Sequence, residues 1–326
     1  MTCEQRILAS LFLTVVAPLS GAQEKPLPRR FTVGAAASYR IQLIVRSELQ
    51  GQQAEAIGAK TYVKAFTRAA EDGLAWTATR RIASLGADGS AEIEETLADF
   101  EPALESSGDF SASADEATAK LAAALRKTLE TWQGAHTLRC RETRAGNLLE
   151  LRAEGVPTLG EAPPRVLTLW LLRALRPTAA LPDRPVRFGE PWQELRTVDV
   201  PPWSDVRASE SGEWLDAPLG TVPAVRLHIV QQISGSVASG PEKPPEGASQ
   251  ARFHGEALNT VSLLDSRLLG ATRSAAREII WTLALVEGLP EPPQFRARLS
   301  VEVQIEACDE TPCSISDRGR LTLRKR

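Results

Sequence analysis

The chain has 326 residues, of which 38 are basic and 41 acidic, giving a net charge of −3; 43% are hydrophobic and 24% charged. That composition belongs to a folded protein and excludes wholesale disorder. It supplies no global pull toward nucleic acid or an anionic membrane, and no nucleic-acid-binding module is recognisable along it.

Arg6 precedes an apolar run from Ile7 to Leu19, and the small residues Ser20-Gly21-Ala22 follow it. Such a run is too short to span a bilayer and has the layout of a secretory signal peptide over residues 1–22, cleaved before Gln23. A lipoprotein signal would need cysteine in the place of Gln23, so no lipid anchor is expected. No later stretch is apolar enough for a transmembrane span. The expected location is the periplasm or the extracellular medium.

Tyr39, Ile41, Leu43 and Val45 alternate with Arg40, Gln42 and Arg46, which predicts a half-buried strand. Further strands are expected over 60–70, 74–85 and 91–100. Glu71-Asp72-Gly73 and Gly86-Ala87-Asp88-Gly89 read as the turns between them. Ser113 and Glu116 form a capping box, and Ala117, Leu121, Leu125, Leu129 and Trp132 follow at helical spacing, predicting a helix over 114–132. Strands over 135–143 and 148–153 flank the turn Arg144-Ala145-Gly146-Asn147.

A second, short helix is expected over 165–176, between Pro163-Pro164 and Pro177. Arg165, Arg173 and Arg176 fall within an arc of roughly 80°, while Trp170 and Leu171 lie on the apolar side. The prolines between 178 and 202 read as a connector, with a boundary near residue 180. The expected regions are therefore 23–180 and 181–326. Strands in the second are predicted over 205–214, 222–234, 250–264, 269–286 and 294–307. The resulting class is α+β, predominantly antiparallel β, with long curved strands and both helices in the first half.

Without the leader, the cysteines are Cys140, Cys308 and Cys313. Cys308 and Cys313 flank the turn-forming Asp-Glu-Thr-Pro, so an oxidising compartment favours a disulfide between them and leaves Cys140 as a buried thiol. His136, His228 and His254 belong to no closely spaced metal motif, and no metal or cofactor is expected. Gly58-Ala59-Lys60-Thr61 lacks the spacing of a phosphate loop and joins two predicted strands. Glu92 and Glu94 alternate with Ile93 as on a solvent-facing strand, and Trp192, Trp203 and Trp214 read as core residues. No catalytic residues are assigned.

The segment Leu181-Pro182 … Val186-Arg187-Phe188-Gly189-Glu190-Pro191-Trp192, set between two β-rich halves, resembles the linker of a group of exported bacterial β-rich proteins. More remotely, the layout over about residues 36–307 is similar to periplasmic lipoprotein-carrier folds, whose curved sheet holds acyl chains. The resemblance implies a non-enzymatic exported or envelope-associated binding protein and no catalytic residues. Its candidate ligand surface combines Tyr39, Ile41, Leu43 and Val45 with Arg165, Trp170, Leu171, Arg173 and Arg176. The arginines would meet an anionic head group and the apolar side acyl chains. The expected partner is a lipid or other apolar ligand, or an envelope protein. An extracytoplasmic hydrolase and a structural interaction module are the alternatives.

Overall fold

The computed structural model describes residues 31–57, 60–103, 137–144, 146, 148–154, 176–177, 191–200, 203–216, 224–235, 248–262, 267–282 and 293–308, with the isolated positions 123 and 127. These residues form eleven strands: β1 (Ala36–Ile57), β2 (Lys60–Leu85), β3 (Ala91–Pro102), β4 (Thr137–Glu142), β5 (Leu148–Glu154), β6 (Trp192–Val200), β7 (Trp203–Asp216), β8 (Ala224–Gly235), β9 (Ala248–Ser262), β10 (Leu268–Thr282) and β11 (Gln294–Ala307). All lie in one antiparallel sheet, in the order β5-β4-β3-β2-β1-β11-β10-β9-β8-β7-β6.

Each half of the chain is a meander in which successive strands are neighbours, whether the connection is short, as between β1 and β2, or long, as between β3 and β4. The first and last strands close the arrangement. β1 and β11 pair from Tyr39 opposite Ala307 to Gly51 opposite Phe295, so both halves share a single sheet whose edges are β5 and β6. Predominantly antiparallel β structure is thus as expected. The helices predicted over 114–132 and 165–176 lie outside the described residues, apart from Ala123, Lys127 and Arg176, as does the leader 1–22.

Two local expectations are corrected. Residues 60–70 and 74–85 are not two strands around a turn at Gly73; they belong to β2, a single strand of 26 residues. Its partner β1 is 22 residues long and pairs with it continuously, from Ala36 opposite Arg81 to Ile57 opposite Lys60. The turn-forming residues are absorbed into this ladder: Glu71 bonds Arg46 across the pair, and the Asp72 carboxylate accepts the Gly73 N–H at 2.8 Å. The stretch read as a connector contains β6, bounded by Pro191 and Pro201, so the prolines punctuate the strand without entering it. The predicted turn after β2 is present. There the Gly89 N–H reaches the Gly86 carbonyl at 2.9 Å, with Gly89 at a φ of 77°.

Strand pairing sorts the side chains into two faces, because successive residues of a strand point to opposite sides. Trp76, Ile41, Ile305 and Ala271 form one inward rung across β2, β1, β11 and β10; Leu74, Leu43, Val303 and Arg273 form the next. The same core extends to Leu97, Leu138, Leu227, Val261 and Trp192. Arg81, Glu92, Arg139, Thr272, Ser274 and Glu302 stand exposed on the opposite face. Burial of each large apolar side chain contributes roughly 1.5–3 kcal/mol, so a rung such as Trp76–Ile41–Ile305 secures the register of three strands at once.

Candidate functional site

The inward face changes character along the central strands. Tyr39, Ile41, Leu43 and Val45 are sealed, none more than 2% exposed. Beyond Val45 the face continues through the rungs Ala70–Ser47–Leu299–Arg277, Arg68–Leu49–Ala297–Ile279 and Phe66–Gly51–Phe295–Trp281. Apart from Ala70, every residue of these rungs is half-buried. The apolar surface therefore runs out of the closed core into a partly open strip.

Aromatic residues gather at the outer end of that strip. The Phe66 and Phe295 rings lie with centroids 5.8 Å apart at 55°, and the Arg68 guanidinium carbon sits 4.7 Å from the Phe66 centroid. Gly51 between the rings is required for this approach. A Cβ there would come within 2.6 Å of Phe295 Cδ1 and 2.8 Å of Phe66 Cζ. The Trp281 indole Nε1 is enclosed without a hydrogen-bond partner.

At the other end of the inward face lies a buried charged cluster. Arg80 of β2 is opposite Glu95 of β3, while Cys140 and Glu142 of β4 are opposite Ile93 and Ala91. Arg176 reaches this group: its guanidinium pairs with Glu142, lies 3.4 Å from Glu95 Oε1 and donates to Cys140 Sγ at 2.8 Å. Arg80 also pairs with Glu142 and donates to the Pro177 carbonyl at 3.1 Å. From the opposite half of the sheet, Arg273 donates to the Arg176 backbone carbonyl at 2.8 Å and, through Nε, to the Asn259 side-chain Oδ1 at 3.0 Å. Residues 176 and 177 are thereby tied to β2, β3 and β4 on one side and to β10 on the other.

The electrostatics follow from this pairing. Burial works to lower the pKa values of Arg80 and Arg176, but the Glu142 and Glu95 carboxylates outweigh it and hold both above the ordinary arginine value. Burial pushes the Cys140 thiol up to about 12 despite the neighbouring Arg176. Cys140 is a buried free thiol, as the sequence suggests, and is protonated at neutral pH.

Of the predicted ligand residues, Tyr39, Ile41, Leu43 and Val45 share one face, and Arg176 is buried in the ion cluster. Arg165, Trp170, Leu171, Arg173 and Cys313 lie outside the described residues. Cys308 follows β11, and its N–H donates to the Ser38 carbonyl at 2.9 Å. Among the described residues Cys140 is not brought to a histidine: it faces inward, whereas His228 lies on the other face with its ring nitrogens 3.4 Å from Glu213 and 2.9 Å from Glu256. Lys60 and Thr61 begin a strand rather than a helix. Glu92 and Glu94 occupy the outward positions expected of them, beside a hollow of about 370 Å³ also lined by Arg139, Arg141 and Glu150.

The sequence reading named Arg176 and a buried Cys140 but missed Arg80, Glu95 and Glu142 beside them, and it missed the aromatic group altogether. Glu95 carried a signal, since Ala91, Ile93, Glu95 and Leu97 share one phase, which puts a carboxylate where an apolar residue is expected. Phe66, Trp281 and Phe295 carried none, because nothing local shows that three distant strands place them on one rung. Among the described residues, no group of three or more His, Cys, Asp or Glu side chains could hold a metal ion, and no helix is long and apolar enough to cross a membrane.

No protein-family model matches the chain, and no curated protein matches it. Among solved structures, it is similar to one described as lipid–protein interactions in lipovitellin, at 9% identity and a TM-score of 0.35, with 87% of this chain and 27% of that one covered. The chain thus spans about a quarter of the lipovitellin chain. It is also similar to the Salmonella SPI-1 type III secretion injectisome secretin InvG, at 9% identity and a TM-score of 0.19, covering 86% and 66%. Aeromonas hydrophila ExeD matches at 10% identity and a TM-score of 0.17, covering 84% and 48%. At these TM-scores nothing about ligand or activity passes from them to this chain.

Proposed function

We propose that the protein is an exported, non-enzymatic binding protein that holds an apolar, lipid-like ligand against the inward face of its sheet. One observation carries this reading: the apolar face, four strands wide, continues beyond the sealed core as the half-buried rungs from Ser47 to Gly51. A surface of this kind gains free energy by covering itself with hydrocarbon, at about 25 cal/mol per Å² removed from water.

The contacts of residues 176 and 177 support a curved sheet. In a flat sheet, β4 and β10 would stand five strands apart, about 24 Å at roughly 4.8 Å per step. Glu142 of β4 and Arg273 of β10 nevertheless both bond Arg176, one at its side chain and the other at its carbonyl. Curling toward the inward face brings them together and makes that face a concavity. Tyr39, Ile41, Leu43 and Val45 then form the floor next to the strip, and the segment carrying Arg165, Trp170, Leu171 and Arg173 is proposed to lie beside it. The proposal includes cleavage after Ala22 and a Cys308–Cys313 disulfide.

Solvent extraction of protein purified from its envelope or medium, followed by mass spectrometry, should release a stoichiometric apolar molecule. The extracted protein should then bind the neutral probe N-phenyl-1-naphthylamine saturably, and Leu49→Asp should weaken that binding. A folded, extracted protein that shows no saturable binding would remove the ligand-holding function. A second reading, a protein-interaction module, is favoured by Leu195 on the edge strand β6, which is 67% exposed. If that reading holds, Leu195→Lys abolishes complex formation and leaves probe binding unchanged.

A further inference from the structure

We infer that the edge strand β6 is the interface of a two-fold dimer, in which β6 pairs antiparallel with β6 of a second copy of this chain about Leu195. This rests on the edge-strand reading, whose partner it names, and is independent of the ligand reading.

β6 has one unpaired flank, since it ends the sheet. Such a flank presents a row of N–H and C=O groups that another strand can bond, unless proline, a bulge or unmatched charge blocks it. Pro191 and Pro201 lie outside the strand, and its ladder with β7 runs from Trp192 to Val198 without a shift of register. Gln193 is exposed, and Leu195, at 67%, is the most exposed large apolar side chain among the described residues. β5, the other edge, is less suited to pairing: its ladder with β4 skips Leu149, and such a bulge bends an edge strand.

Charge selects the partner. With Leu195 on the dyad, position 194 meets 196 of the second copy, 193 meets 197 and 192 meets 198. A glutamate thus stands opposite an arginine twice over, and Leu195 opposite Leu195 of the second copy. Within the chain, Glu194 is opposite Glu210 and Arg196 opposite Ala208, so β7 sets like charge against the glutamate and none against the arginine. The second copy presents the opposite sign to both positions. A foreign strand meets like charge at one of them unless its own sequence reverses the pair, which gives the edge its specificity. The dyad is perpendicular to the sheet, so both inward faces open on the same side of the dimer. One strand from each copy makes an interface below the roughly 1,200 Å² of stable complexes, so a dissociation constant on the order of 10 μM is expected.

The test is sedimentation velocity of the full exported chain from about 1 to about 200 μM, over which the wild type should pass from monomer to dimer. Leu195→Lys sets two lysines face to face and should weaken the dimer at least tenfold, whereas Leu149→Lys on β5 should leave it unchanged. Glu194→Arg and Arg196→Glu should each weaken self-association about tenfold, because both symmetry-related pairs turn from attraction to repulsion. Mixed in equal amounts, these two variants should regain a dimer within about threefold of wild-type affinity, since each presents the sign that the other lacks. A wild type that stays monomeric, a dimer indifferent to Leu195→Lys, or weakened variants that do not recover on mixing would overturn the inference. Growth beyond a dimer would also overturn it, because pairing of β6 with β5 of the next copy leaves the assembly open-ended. A monomeric wild type that holds an envelope protein through Leu195 would overturn the dimer and keep the edge-strand reading.

Discussion

Replacing Arg176 with methionine tests how the charged cluster holds the chain against the sheet. The wild-type group balances Arg80 and Arg176 against Glu95 and Glu142, with Arg176 2% exposed and Glu142 fully enclosed. Methionine fills much of the arginine's volume but leaves two carboxylates facing one guanidinium. Breaking a buried ion pair from one side costs about 3–5 kcal/mol, which is a large part of the roughly 5–15 kcal/mol that stabilises a typical fold. Thermal unfolding at pH 7.5 should shift down by roughly 10 °C.

The pH dependence has a definite sign. In the variant, burial without a full complement of cations raises the Glu142 pKa above its unfolded value, so the folded state binds the extra proton. Protonation of that carboxylate favours the folded state, so acidification from pH 7.5 to 5.5 should recover part of the deficit. In the wild type the raised arginine pKa values lie far above this window and contribute no slope within it. Arg176→Met/Glu142→Gln should be more stable than the single variant because it removes the excess charge. An Arg176→Met protein within 1 kcal/mol of wild type at pH 7.5, or a double variant no better than the single, would refute the view that these ions are held by mutual compensation.

Gly212→Ala should destabilise by about 1–3 kcal/mol in denaturant unfolding, because its Cβ would overlap the Trp192 ring, and Trp192→Leu should relieve most of that loss. Cys140, with its thiol pushed up to about 12, should resist iodoacetamide at pH 8 in the folded protein and react on unfolding without reductant. In the same experiment Cys308 and Cys313 should stay unlabelled until reduced; labelling of both in natively exported protein would exclude their disulfide. N-terminal sequencing of exported protein should begin at Gln23, and retention of Met1 would exclude the leader.

The sequence by itself determined the antiparallel β class and, within a few residues, most of the strands, because a period of two and short polar turns are local properties. Tyr39, Ile41, Leu43 and Val45 could be assigned to one buried face on that basis alone. Locality also explains the failure at Gly73: its turn chemistry is real, but pairing with β1 along the whole of β2 outweighs it. Only the tertiary structure decided that β1 pairs with β11 and so joins the two halves into one sheet. Residues separated by more than 250 positions meet there, and no periodicity within either strand specifies its partner. The same pairing set Phe66, Gly51, Phe295 and Trp281 on one rung and brought Arg176 to Glu95, Glu142 and Arg273. Both candidate regions of the inward face depend on strand order and register, which arise from side-chain packing between segments far apart in the chain.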